Sequence, residues 1–170
     1  MDWRRAIAVG VALAAGFHSI LTAGAVDFRL GVGAYEGRAA FRELRITDAT
    51  GKVVYSNDFA TPDAVKEWIP AGRGTWKCGD GTLEQTFGGL GHEAATLSIP
   101  QKFRNVTITM KAKKIDGKEG FLVPTGNISV SGGGEWVIFG GWGNTYHGVE
   151  QRRSGTRGSR PRSRRDAGTT

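Results

Sequence analysis

The chain has few of the residues from which most reactive centres are built. It carries one cysteine and three histidines in 170 residues. A lone Cys78 excludes an intramolecular disulfide, so packing must hold the fold, and "TWKCGD" reads as a small apolar residue at a strand end rather than a reactive thiol. His18 falls in the N-terminal run, which leaves His92 and His147 without short metal-ligand spacing, and no metal is expected. The turns "CGDGT" and "KIDGKEG" lack the ligand spacing of an EF-hand calcium loop. No glycine loop is followed by Lys-Ser/Thr, so there is no phosphate cradle, and no cofactor is expected. Apolar runs stop short of the ~18 residues that a membrane-spanning helix requires. A (β/α)₈ barrel, at about 250 residues, is excluded by length.

Glycine, by contrast, is abundant at 27 residues, and short β-like pieces recur between glycines. The formal charge of +7 suggests a nucleic-acid binder until its position is considered. Between Val26 and Glu150 fourteen Lys and Arg are matched by fourteen Asp and Glu. The excess sits in residues 151–170, with seven arginines against Asp166. That segment has no apolar residue larger than alanine and is expected to be a disordered tail. Nucleic acid is therefore not an expected partner of the folded part; a role resting on the arginines would be strongly salt-dependent. At the other end, Arg4-Arg5, the apolar run "AIAVGVALAAGF" and Ala23-Gly24-Ala25 have the order of a secretory signal peptide over residues 1–25. This predicts a secreted or periplasmic protein whose β-sandwich module spans 26–150, with no stable membrane span.

Along the chain the period-2 signal dominates. "NVTITMKAKK" alternates Val106, Ile108, Met110 and Ala112 with Thr and Lys, giving one dry and one wet face. "AFRELRIT" breaks parity once, as a bulged strand does. "DATGK" turns into "VVYSNDF", and "TWKCGDGTLEQTF" forms a hairpin about Gly-Asp-Gly. "TPDAVKEW" predicts a helical turn, with Thr61 as N-cap and Pro62 in its first position. "FRLGVG", "EAATLSIP", "FLVPTG", "NISV" and "GEWVIFG" supply further strands. Eight to ten short strands with glycine turns predict an all-β, antiparallel β-sandwich.

The chemistry centres on "FGGWGNTYH". Its glycines free the backbone for a bulge or tight turn. In a regular strand Trp142 and Tyr146 would share a face with Asn144 between them, and Trp136 would match their parity. Flat aromatic faces beside an amide and an imidazole suit a sugar, with its apolar C–H faces and hydroxyl rim. Trp136, Trp142, Asn144, Tyr146 and His147 are the candidate carbohydrate-binding residues. The same string also reads as sandwich architecture, with the indoles in a core. No catalytic residue is assigned. Glu84, Glu93, Glu119, Glu135 and Glu150 are scattered over strands and turns and read as solvated surface, whereas glycoside hydrolysis needs a converging pair.

At "GKEGFLV" and "FGGWGNTYHGVEQ" the chain resembles the non-catalytic concanavalin-like β-sandwich module of bacterial α-L-arabinofuranosidases of glycoside hydrolase family fifty-one. "GVGAYEGRAAFRELRIT", "GKVVYSNDF", "GTWKCGDGTLEQT" and "VTITMKAKKIDGKEGFLV" match in the same order, covering residues 30–151. The resemblance implies a jelly-roll (concanavalin- or laminin-G-like) fold. It also implies an accessory carbohydrate-binding role on arabinose-containing plant polysaccharide, beside a separate glycoside hydrolase domain and without catalysis of its own. The family's sandwich continues past "GVEQ", where the match here stops. The module is therefore expected to be truncated on its C-terminal side, with the tail reflecting a shifted frame or shortened gene. The dispersed Trp and Gly-Thr-Leu signals are shared with keto-disaccharide hydrolases. A small secreted hydrolase and a purely structural fragment are thus the alternatives.

Overall fold

The computed structural model describes residues 7–13, 27–87, 91, 93–126 and 134–152. Most of the expected leader, "NISV", His92 and residues 153–170 lie outside them. Two six-stranded sheets face one another, and the pairings within each are antiparallel. The first contains β1 (Ile7–Leu13), β3 (Gly37–Thr47), β4 (Val53–Asn57), β6 (Trp76–Gly79), β7 (Thr82–Gln85) and β9 (Val106–Gly117). Its order is β1-β9-β3-β7-β6, with β4 paired to the far half of β3. The second contains β2 (Phe28–Tyr35), β5 (Ile69–Gly72), β8 (Ala94–Phe103), β10 (Phe121–Thr125), β11 (Gly134–Gly140) and β12 (Tyr146–Arg152). Its order is β12-β11-β10-β2-β8-β5. The all-β antiparallel sandwich expected from the alternation is the fold observed. Part of the apolar run read as a leader forms edge strand β1, and β12 reaches two residues past the expected boundary at Glu150.

Alternation decides which side chains meet between the sheets. Val106, Ile108, Met110 and Ala112 of β9 are buried while Thr109 and Lys111 are exposed. Leu30 and Val32 of β2, Phe41 and Ile46 of β3, Ile99 of β8, and Phe121 and Val123 of β10 complete the same core. The parity break in β3 is a register shift between Arg42 and Arg45, with Glu43 at φ 54°. The bulge absorbs one residue; in a regular strand of this sequence, with Phe41 inward, Leu44 and Ile46 would turn to the wet face. Gly31 shows why β2 is glycine-rich, since a β-carbon there would strike the carbonyl oxygen of Leu97 on β8.

The two hairpins follow their turn residues. In β6–β7, Gly79 pairs with Thr82, leaving Asp80 (φ 53°) and Gly81 (φ 72°) as a two-residue loop of the positive-φ kind that Asp-Gly favours. Cys78, next to it, packs against the core, and burial pushes its thiol pKa up, away from reactivity. Between β3 and β4, Asp48 Oδ1 accepts hydrogen bonds from Thr50 N, Thr50 Oγ1 and Lys52 N. The Thr50 hydroxyl above all holds the Asp48 carboxyl below its ordinary range. Asp116 is likewise lowered, first by its hydrogen bonds from Arg38. Both are depressed carboxylates, so their contribution is complete above the unfolded pKa of about 3.9 and is lost as pH falls through the folded values. The melting temperature should therefore decline below about pH 4, and Asp48→Ala should make that decline shallower in thermal melts across pH 2–7.

The expected helical turn is a single 3₁₀ turn, Pro62–Val65, with Pro at its start. Thr61 occupies the cap position in an extended conformation, but its side chain makes no capping bond. Its function is to place Trp68, whose Nε1–H donates to Tyr55 Oη at 3.0 Å and whose ring meets Phe59 edge-on.

Candidate carbohydrate-binding cleft

The "FGGWGNTYH" string is a hairpin tip rather than a strand. β11 ends at Gly140, residues Gly141–Asn144 make a helical turn, and the chain returns as β12. Gly140 (φ 71°), Trp142 (φ 50°), Gly143 (φ 73°) and Asn144 (φ 68°) all sit in the left-handed region. A β-carbon on Gly140 would also displace the Asn144 side-chain oxygen from its present position. Thr145 Oγ1 donates to the Trp142 carbonyl at 2.7 Å, and Thr145 N donates to the Gly141 carbonyl at 3.0 Å. The expected shared strand face of Trp142, Asn144 and Tyr146 is absent because the backbone reverses within it.

The reversal brings Trp142 back over its own hairpin. Its six-membered ring lies 3.7 Å from the position of a β-carbon on Gly148. Gly148 is opposite Ile138, and Glu150 opposite Trp136, on the face of the second sheet that points away from the main core. On that face Leu122, Trp136 and Ile138 form a small separate cluster with Tyr35 and Ala94 against it. The Tyr35 and Trp136 rings are 6.3 Å apart and tilted by 54°. Above this cluster is a cleft of about 410 Å³ lined by Tyr35, Glu36, Glu119, Leu122, Trp136, Ile138, Trp142 and Glu150.

Trp136 is 5% exposed and forms the floor, whereas Trp142 is 53% exposed and forms a wall. The other three candidates are placed differently. Asn144 is exposed at the tip and Tyr146 is 67% exposed on β12, and neither lines the cleft. His147 is paired with Phe139, which puts it on the opposite face from Trp136 and Glu150. Its Nδ1 accepts the Gly140 N–H at 3.0 Å and its ring lies 5.9 Å from that of Phe139, so it braces the turn. Sequence reasoning missed Tyr35 and Glu36, and it read Glu119 and Glu150 as dispersed surface acids. Tyr35, Glu36 and Glu119 reach one cleft through the sheet order, since the β2–β3 and β9–β10 connections meet at the end of the hairpin, and Glu150 joins them from β12. Lys118 N donates to the Glu36 carbonyl at 3.1 Å, and Gly120 N donates to the Gly140 carbonyl at 2.7 Å. Glu36 itself is held at φ 48°, so two of the lining residues, Glu36 and Trp142, adopt backbone conformations that cost energy and recur at ligand sites.

Chemically the cleft offers indole and phenol faces beside three carboxylates that can accept hydrogen bonds from hydroxyl groups, and among the described residues its lining includes no Lys or Arg. A larger depression, about 930 Å³, runs along β3 and β4, but among the described residues Tyr55 is its one aromatic, and that ring already packs on Trp68 and Phe103. Among the described residues no group of three His, Cys, Asp or Glu is placed to hold a metal ion. Among them, too, no helix is long and apolar enough to cross a membrane.

Over 136 residues the chain is 32% identical to an extracellular exo-α-L-arabinofuranosidase of Streptomyces chartreusis. The chain is related to one part of a glycoside hydrolase. The match takes in 80% of this chain and 16% of that enzyme's length, so most of the enzyme has no counterpart here. No family model matches, and no solved structure matches.

Proposed function

We propose that this protein is an exported accessory module that binds arabinose-containing plant polysaccharide, and that it works beside a glycoside hydrolase rather than catalysing by itself. The observation that carries this reading is the cleft: two indoles and a phenol around three carboxylates, on a sheet face outside the main core. Sugars present apolar C–H faces that suit Trp136, Trp142 and Tyr35, and hydroxyl groups that donate to Glu36, Glu119 and Glu150. The kinship with an arabinofuranosidase supports the substrate class, and that enzyme's extracellular setting supports export through the apolar leader. The concanavalin-like jelly roll and the family fifty-one assignment are part of the same proposal.

The test is a thermal melt of the chain with and without arabinoxylan oligosaccharide, followed by tryptophan fluorescence. Ligand at 100 times its dissociation constant should raise stability by about 2.7 kcal/mol. A cooperative melt that ignores every arabinose-containing sugar would overturn the proposal.

A second reading has one observation in its favour, the presence of Glu36, Glu119 and Glu150 in the lining of one cleft. If two of them act as acid and nucleophile or base, the module is itself a small hydrolase of the keto-disaccharide type. It would then turn over a sugar substrate, and Glu→Gln at one of the three would abolish turnover while leaving ligand-induced stabilisation in place.

A further inference from the structure

Two of the cleft's acids differ from other acids of the sandwich. Asp27, Glu43 and Asp116 each meet a basic side chain, at 2.7 Å from Arg104, 2.6 Å from Lys111 and 2.6 Å from Arg38. Among the described residues, no ion pair or side-chain hydrogen bond holds Glu119 or Glu150. Both line the cleft. Glu119 is half-buried at the foot of the hairpin tip, with its Oε2 3.9 Å from the position of a β-carbon on Gly141. Glu150 stands on β12 opposite Trp136, two residues beyond the Gly148 that the Trp142 ring covers. One carboxylate is thus beside the residue preceding Trp142, and the other is close to the residue beneath its ring. Lys118, next in the chain to Glu119, is exposed and is not part of the lining. A carboxylate only accepts hydrogen bonds. The hydroxyl groups of a neutral sugar supply the donors it lacks. A uronate brings another acceptor of the same charge, and like charges brought together at an interface select against that ligand. The repulsion is local, because Lys and Arg balance Asp and Glu between Val26 and Glu150.

We propose that Glu119 and Glu150 set the specificity of the cleft: it takes neutral arabinosyl chains and rejects chains that place a carboxylate beside the bound arabinose. This rests on the sugar-binding reading of the cleft and narrows the class of arabinose-containing polysaccharide that it accepts.

The experiment titrates the full chain at neutral pH with three probes. They are a short neutral arabinoxylan oligosaccharide, the same compound carrying one glucuronate beside its arabinose, and that glucuronate compound after reduction of its carboxyl group to a primary alcohol. The neutral and reduced probes should bind. The glucuronate probe should bind at least about tenfold more weakly than its reduced form at about 20 mM salt, and the gap should close to within about threefold at about 500 mM. In the double variant Glu119→Gln with Glu150→Gln, which keeps the side-chain shape and an acceptor oxygen, the low-salt gap should also fall to within about threefold. The arginine-rich tail is common to parent and variant, so comparing their ratios isolates the cleft. Should the double variant not fold, the salt series on the parent decides. If the parent binds the neutral probe but takes the glucuronate and reduced probes equally, this specificity is overturned while the sugar-binding reading stands. If the neutral probe does not bind, both are overturned. A gap that salt does not narrow, or that persists in the folded double variant, means exclusion by shape and overturns the proposal.

Discussion

Phe41→Ala should destabilise the chain by about 3–5 kcal/mol, the usual cost of emptying a buried phenylalanine site. Phe41 is fully buried at the centre of β3, and its ring meets Phe121 edge-on at 6.1 Å and Trp76 at 6.5 Å. Phe121 in turn stacks on Phe139 at 4.9 Å. One ring therefore ties the β9-side sheet to the β10–β11 hairpin that carries the cleft. The cavity cannot close easily, because its neighbours are rings held at both ends. The lost free energy is a large fraction of the 5–15 kcal/mol that an ordinary domain possesses. Urea denaturation should show a lower midpoint with an unchanged slope; an unfolding free energy within about 0.5 kcal/mol of the parent's would show that the sheets are not joined through this residue.

Elements with a strict period were legible before any coordinates. "NVTITMKAKK" could be assigned residue by residue, because one face of β9 is dry and the other wet along Val106–Ala112. "CGDGT" announced its own turn, since few residues other than glycine and aspartate accept two successive positive φ values. The break in "AFRELRIT" was visible as a parity error and is the shift at Arg42–Arg45. Residues 7–13 show the limit of such reading. An alternating run of Ile, Val and Leu with Ala and Gly has the composition of a leader and of an edge strand at once. Only its pairing with β9 distinguishes a strand from an apolar run.

The cleft was half legible. Trp136 and Trp142 were found from their density of aromatic side chains, but by a wrong local geometry. The parity argument assumed an extended backbone through Gly140–Asn144, where left-handed residues reverse the chain. The turn brings the two indoles to one cleft by another route, folding Trp142 back over Gly148 while Trp136 comes from the strand before it. Glu36 and Glu119 could not have been found by spacing. They belong to two connections far apart in sequence, and they meet because β2 and β10 are neighbours in one sheet.

The two indoles separate architecture from binding. Trp136→Ala removes a side chain that is 5% exposed, with the Tyr35 ring at 6.3 Å and Leu122 and Ile138 in the same cluster. It should lower stability by about 3–5 kcal/mol and abolish binding with it. Trp142→Ala removes a side chain that is 53% exposed and stands on Gly148, a residue with no side chain to lose a partner. Its stability cost should stay below about 1 kcal/mol, since surface changes away from buried networks are small. The sugar affinity, however, should fall at least about tenfold, as a stacked aromatic wall at a site is worth more than 1 kcal/mol. Urea denaturation of each variant, with calorimetric titration of arabinoxylan oligosaccharide into the folded protein, reads both quantities. If Trp142→Ala binds as the parent does, the hairpin tip is structural and the cleft's wall is not a ligand contact. If it loses binding at unchanged stability, a strained, exposed indole is being held out of the core for a sugar, and the left-handed backbone at Gly140–Asn144 is what holds it there.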